Sequence, residues 1–330
     1  MAYETGSATN LGDLVTKLGT FLTGCTAAWT QDQLLNSSPN YYATFHKDDC
    51  FVSFRWAGVA ANLAVFHQLS YVSGTPGTAA MGDSGNGLAG TADATTARRV
   101  SCLTTGSYTY YFFASDVAPY YCHVVLEIAT GKYRHFGFGK LTKFGTWTGG
   151  EYCYGGIWSQ SVSYAANPTS IYHALGMDGL ATTIADCATV RIVDIAGMSM
   201  DADSRWGVIT TGTPGTDRSG EPRYRLFGGS RSGFWGWAMG WIPATALNAY
   251  KPLIPIPVIW RDTATTPDTW LWLGEQPDTA LINMKHINAG DEITVGSDTW
   301  AVFPWAVKQY TVGATTEESR NAGIAYKKIV

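Results

Sequence analysis

Two histidines, His123 and His135, flank a short turn in YYCHVVLEIATGKYRHFGFG, and Cys122 adjoins the first of them. Imidazole and thiolate are side chains that take zinc, so their crowding around one turn raises a metal reading. That reading depends on register. Val124, Leu126 and Ile128 alternate along one strand, Thr130-Gly131 supplies a turn, and Tyr133 to Phe138 returns antiparallel. Pairing Ile128 with Tyr133 sets His123 opposite Phe138 and His135 opposite Leu126, on opposite faces of the hairpin. A loop one residue longer would bring both to the same face. The sequence has no recognisable spacing of four ligands, so no metal residue is assigned.

Other chemistry is no better supported. Asp201 and Asp203 in MDADSRWG, with Asp194 upstream, could offer oxygens to Ca²⁺, but the ligands and glycine of an EF-hand loop do not follow. They read as solvated carboxylates in a turn ahead of Arg205. A glycosidase needs two carboxyls across a cleft, and no particular pair is singled out by spacing. Nucleophile and phosphate motifs of the G-x-S-x-G, H-E-x-x-H and G-x-x-x-x-G-K-[ST] kinds do not occur. Gly137-Phe138-Gly139 lacks the following helix that a phosphate cradle requires. Trp147, Tyr152, Tyr154 and Trp158 sit among polar neighbours and could stack on sugar rings; their alternative is core and interface packing. No catalytic and no cofactor-binding residue is assigned, and the chain reads as a non-enzyme without a cofactor.

The elements that would carry these residues are mostly strands. Leu11, Leu14, Val15, Leu18 and Leu22 recur at helical steps between a capping Asn10 and a terminating Gly24, with Asp13 in the first turn, which predicts one amphipathic helix. YATFHKDDCFVSFRW from Tyr41 reads as a hairpin about Lys47-Asp48-Asp49, with Val52, Phe54 and Trp56 on one face. Residues 73–97 are almost all Gly, Ala, Thr, Ser and Asp, too poor in apolar area to order as a core element, so they read as a long surface loop. Strand text returns at Tyr108 to Phe113, Val190 to Ile195, Trp206 to Thr210 and Arg223 to Phe227, and Gly228 to Trp241 repeats a glycine-aromatic texture. Prolines 252, 255 and 257 in KPLIPIPVIW argue for an edge strand or connector rather than a central strand. The carboxyl third continues in strands and turns. The fold class is therefore mainly β, with antiparallel sheets in a sandwich-like arrangement, one N-terminal amphipathic helix and long Gly-rich loops. A division into 1–165 and 166–330 is placed ahead of Asn167-Pro168.

Composition narrows the partners. The 330 residues carry 13 Trp, 18 Tyr and 13 Phe but only 15% charged side chains, against the ~25% usual for soluble domains. A surface so poor in charge predicts burial against neighbouring subunits. A net charge of -4 gives no footprint for nucleic acid or an anionic membrane. The first ten residues lack a basic start and an apolar run, and no segment is apolar enough to span a bilayer, which predicts neither secretion nor membrane insertion. Cys25, Cys50, Cys102, Cys122, Cys153 and Cys187 are scattered and read as buried thiols of a reducing compartment.

Three segments carry a likeness to a known group. MAYETGSATNLGDLVTKLGTFLTG at the start, HVVLEIATGKYRHFGFGKLTKFGTWTGGEYCYG within, and LWLGEQPDTALINMKHINAGDEITVGSDTWAVFPWAVK with GIAYKK near the end resemble virion structural proteins of tailed bacteriophages. The resemblance implies a structural subunit of the tail apparatus, at the baseplate or tail tip or at the neck. Such a subunit assembles in the host cytoplasm through symmetric interfaces with copies of itself and other virion tail proteins. Two further expectations are a receptor- or carbohydrate-binding module of the virion that meets host surface glycans, and a polysaccharide-degrading enzyme.

Overall fold

The computed structural model describes residues 2–38, 40–56, 62–68, 71, 98–101, 106–155, 188–194, 206–209, 223–224, 252–262, 269–304 and 322–329. Strand β1 (Tyr3–Ala8) leads into α1 (Leu11–Gly24), the single helix among these residues. The helix starts where the sequence places it. The Asn10 side chain accepts from the Asp13 amide at 3.0 Å, and the Asp13 carboxylate accepts in turn from the Thr9 amide at 2.8 Å. Its buried stripe of Leu11, Leu14, Val15, Leu18, Phe21 and Leu22 follows the helical period. Asn10→Ala should lower stability by about 1 kcal/mol by orphaning an end amide, read as a drop in Tm. An unchanged melt would show that the Thr9–Asp13 bonds suffice.

Strands β2 (Thr30–Ser37), β3 (Asn40–Lys47), β4 (Cys50–Trp56), β5 (Asn62–Gln68) and β6 (Arg98–Ser101) make a five-stranded antiparallel sheet in chain order. The β3–β4 hairpin turns at Asp48-Asp49, with Lys47 opposite Cys50 and Asp48 at φ 53.

A second sheet of fourteen strands combines β1 with β7 (Tyr108–Ala114), β8 (Tyr121–Ala129), β9 (Lys132–Lys140), β10 (Thr142–Lys143), β11 (Thr148–Gly155), β12 (Ala188–Asp194) and β13 (Trp206–Ile209). It continues through β14 (Arg223–Tyr224), β15 (Ile254–Asp262), β16 (Thr269–Asn283), β17 (Glu292–Val295), β18 (Asp298–Pro304) and β19 (Ala322–Lys328). Its pairings are antiparallel except β13 with β14.

Strand alternation turns β7, β8, β9 and β11 into a middle layer with two buried faces. One face carries Tyr110, Phe112, Cys122, Val124, Leu126, Phe136, Phe138 and Cys153. It packs against the apolar stripe of α1 and against Ala43, Phe45, Val52, Phe54 and Trp56 of the five-stranded sheet. Phe54 meets Phe138 edge-on with ring centroids 5.5 Å apart, and Trp29 does the same at 5.4 Å. The opposite face is covered by the far end of the same large sheet. There Phe113 stacks on Tyr326 at 5.1 Å and Tyr111 lies 4.6 Å from Phe303. The protein is thus mainly β and antiparallel, as the sequence pattern indicates.

KPLIPIPVIW does form a strand, β15, and pairs along β16, with register shifts between Pro255 and Pro257 and between Val258 and Ile259. On its other side the described pairing is Tyr224 with Trp260, beyond the prolines. Among the described residues the missing proline donors are thus kept off a second ladder. Loop 73–97 and the Gly228 to Trp241 segment lie outside the described residues, as does the boundary at 165. Strands from either side of that boundary, such as β10 and β16, pair in one sheet. No described helix is long and apolar enough to cross a membrane.

Candidate functional site

The β8–β9 hairpin carries both histidines, in a register that differs from the one its sequence suggests. Ala129 pairs with Lys132 around Thr130-Gly131, where Gly131 adopts φ 72, but Ile128 bulges out and Glu127 faces Tyr133. One extra residue in β8 shifts every later pair by one position. His123 therefore lies opposite Gly137 and His135 opposite Val125, which places both imidazoles on the same face. This corrects the opposite-face expectation.

Each imidazole is gripped at both nitrogens. His123 has Nδ1 2.9 Å from the Tyr154 hydroxyl and Nε2 3.1 Å from the Pro277 carbonyl. His135 has Nδ1 2.8 Å from the Tyr326 hydroxyl and Nε2 2.9 Å from the Pro304 carbonyl. All four groups are buried. Burial lowers the His123 pKa to about 3, the bond to Pro277 opposing it, and burial raises the phenols of Tyr152, Tyr154 and Tyr326.

Local sequence explains the geometry. A kink in β16 at Gln276-Pro277-Asp278 falls between the pairs Glu275–Pro257 and Thr279–Tyr326, and Asp278 takes φ 49 there. The kink turns the Pro277 carbonyl to His123, while the Asp278 carboxylate accepts from the Tyr121 hydroxyl at 2.6 Å. The Thr279 hydroxyl donates to the Gln276 carbonyl at 3.1 Å and closes the bend. On β9, Gly137 leaves room for the rings: a Cβ there would stand 2.5 Å from Tyr154 Cε1 and 2.6 Å from His123 Nδ1. The result is a polar seam between the middle layer and the strands β16, β18 and β19.

Three of the four candidate sugar-stacking residues are in the interior. Tyr152 and Tyr154 have no exposed surface, and Trp147 is buried with its indole N–H donating to the Leu273 carbonyl at 3.1 Å. A stacking platform must face solvent, so these three pack the core instead; Trp158 lies outside the described residues. Among the described residues the exposed large aromatics are Phe144 and Trp272, on neighbouring segments joined by the Phe144 amide and the Leu273 carbonyl at 2.9 Å.

Cys25, Cys50, Cys122 and Cys153 are buried thiols that form no disulfide. Burial pushes Cys25 up to about 11 and Cys50 and Cys122 well above the ordinary range, which holds them protonated at neutral pH. Cys102, Cys187, Asp201 and Asp203 lie outside the described residues. Among the described residues no group of three or more His, Cys, Asp or Glu side chains is placed to hold a metal.

One further pairing escaped the sequence. A register shift between Gln31 and Gln33 turns Asp32 toward His46, whose Nδ1 lies 3.0 and 2.8 Å from the two carboxylate oxygens while its ring stacks on Phe51. A bulge in β2 was needed to make that contact, and nothing in TQDQLLNS announces one. No protein-family model matches this chain, and comparison with curated proteins gives no match.

Proposed function

We propose that the chain is a non-enzymatic structural subunit of a bacteriophage tail apparatus, at the baseplate, tail tip or neck, built into symmetric rings with copies of itself and other virion tail proteins. What supports a structural role is the use made of the chemistry-bearing side chains. His123 and His135 are bound across the layers to Pro277, Pro304 and Tyr326, Tyr152 and Tyr154 hold His123 from within the middle layer, and the buried thiols are held protonated. Groups so placed serve rigidity rather than turnover. The phage setting rests on the resemblance of the three sequence segments. Two of them, around residues 123–155 and 271–328, contain the residues that meet across the seam.

Sedimentation of the purified full chain tests the assembly. A discrete ring-sized oligomer that persists on dilution to micromolar concentration is expected. A monomer at every concentration, together with absence of the polypeptide from purified tails, would overturn the reading.

A further inference from the structure

Strands β10 and β16 set two aromatic rings on the outside of the protein. On β16, Trp272 pairs with Ile259 and Gly274 with Val258, so Leu273 is an extra residue between two pairs. That bulge leaves Leu273 buried and puts Trp272 on the same face as Glu275, which pairs with Pro257, two residues from Ile259. Thr142 of β10 lies opposite Glu275 and shares its face. Phe144 follows two residues later, its amide donating to the Leu273 carbonyl at 2.9 Å. Leu141, Trp147 and Val258 are buried, whereas Phe144 is 44% and Trp272 50% exposed.

The frame beneath these rings is held from several sides. A Cβ on Gly274 would stand 2.3 Å from the Thr142 carbonyl oxygen, so glycine is what lets β10 lie this close to β16. The Trp147 indole donates to the same Leu273 carbonyl at 3.1 Å, and the Lys143 ammonium donates to the Trp147 carbonyl at 2.6 Å. Phe144 therefore sits on backbone that is already in place before any ligand arrives, which lowers the ordering cost of binding.

The size and chemistry of the face narrow what it can hold. Two half-exposed rings offer roughly 200 Å² of apolar surface, well short of the about 800 Å² that each partner gives to a stable protein interface. The other exposed large apolar side chains among the described residues, Val117 and Val295, stand on the β7–β8 connection and on β17. A pyranose ring with equatorial hydroxyls fits the smaller area, because its C–H face stacks on an aromatic ring while its rim of hydroxyls needs polar partners. Glu275 can accept from two neighbouring hydroxyls, and the Thr142 hydroxyl both donates and accepts. Charge selects further. Burial and then the nearby Asp278 raise the Glu275 pKa, so the face is already crowded with negative charge and repels phosphate, sulfate and acidic sugars. Lys143 is turned to Trp147 and supplies them no counter-charge.

We propose that Thr142, Phe144, Trp272 and Glu275 form a shallow binding site for a neutral oligosaccharide of equatorially substituted pyranose rings. The rings stack on Phe144 and Trp272, and Glu275 and Thr142 fix their orientation through the hydroxyl rim. The site goes beyond the structural role and does not depend on the tail-subunit reading.

Cellotetraose and tri-N-acetylchitotriose, whose ring substituents are equatorial, are the probes. Each is titrated to about 5 mM into the full-length protein and followed by saturation-transfer NMR, a range that covers millimolar dissociation constants. Transfer to the axial ring hydrogens of at least one sugar is expected. Trp272→Ala and Phe144→Ala should each weaken binding about tenfold, and Glu275→Gln should weaken it less, with near-UV circular dichroism and sedimentation unchanged in all three. Phe144→Ala, at the end of β10, decides where Trp272→Ala does not fold. Absence of transfer from both sugars to the unaltered protein would overturn the proposal. So would undiminished binding in the alanine variants, which would put the sugar elsewhere, or a change of sedimentation in either, which would make the face a contact between copies of the chain.

Discussion

Gly137→Ala is expected to destabilise the protein by about 3 kcal/mol or more, the upper part of the range for overpacking a core. The added methyl would sit 2.5 Å from Tyr154 Cε1, 2.8 Å from Tyr154 Cζ and 2.6 Å from His123 Nδ1. Neither ring is the loose end of a flexible side chain. His123 is tied at both nitrogens, Tyr154 is tied to His123, and both side chains are without exposed surface. Making room therefore breaks at least one hydrogen bond in a place where water cannot replace it, so a desolvation cost adds to the clash. Denaturant unfolding monitored by fluorescence and far-UV circular dichroism should show a lower midpoint with an unchanged slope. A variant as stable as the parent would mean that the seam is loosely packed and that the histidine bonds are not held in register by Gly137. Gly131→Ala on the same hairpin is a useful contrast, since that turn glycine has open space around it and carries only the cost of its φ of 72.

The seam was only partly legible in the sequence. Local signals served well where the answer is local: Asn10 and Gly24 bracket α1, Asp48-Asp49 makes the β3–β4 turn, and Thr130-Gly131 makes the β8–β9 turn. Alternation also sorted Val52, Phe54 and Trp56 onto a core face. What sequence could not supply was the bulge at Ile128. Any residue can occupy such a bulge, and no glycine or proline marks it, yet it decides whether His123 and His135 share a face. Partners distant in the chain were equally hidden. The Pro277 and Pro304 carbonyls that fix the tautomers lie more than 150 residues from the imidazoles they bind, and backbone acceptors leave no trace in side-chain spacing. Trp147, Tyr152 and Tyr154 illustrate the converse. Polar and glycine neighbours suggested exposure, but the rings turn into the interior, where Gly137 on the adjacent β9 leaves room for Tyr154. Beta strands such as β1 and β2 were missed because TGSA and TQDQLLNS have little apolar alternation; β1 is an edge strand recruited by β7, and β2 an edge strand recruited by β3.

Acid should weaken the fold well before ordinary carboxylates account for it. His123 has its pKa lowered to about 3 in the folded protein from 6.5. For a group depressed in this way, the stabilising contribution is present above 6.5 and is lost as pH falls from 6.5 toward 3, because the unfolded chain binds a proton that the native chain refuses. Each proton of difference costs about 1.4 kcal/mol per pH unit, so two units of acidification should remove roughly 3 kcal/mol from this site. Urea unfolding at steps between pH 7.5 and 4.5 should therefore give free energies that are flat above about 7 and decline below 6.5. In His123→Gln the decline should be shallower, since glutamine can still donate to the Pro277 carbonyl but has nothing to titrate. Equal slopes in the parent and in His123→Gln would show that the seam is indifferent to protons and that acid acts elsewhere, on carboxylates such as Asp13, whose pKa burial pushes up but the bonds to Thr9 and Lys17 together bring below its ordinary value. The two groups separate by window: losing the Asp13 contribution begins only as pH falls below the ordinary carboxylate range near 3.8, whereas the imidazole contribution starts to go at 6.5.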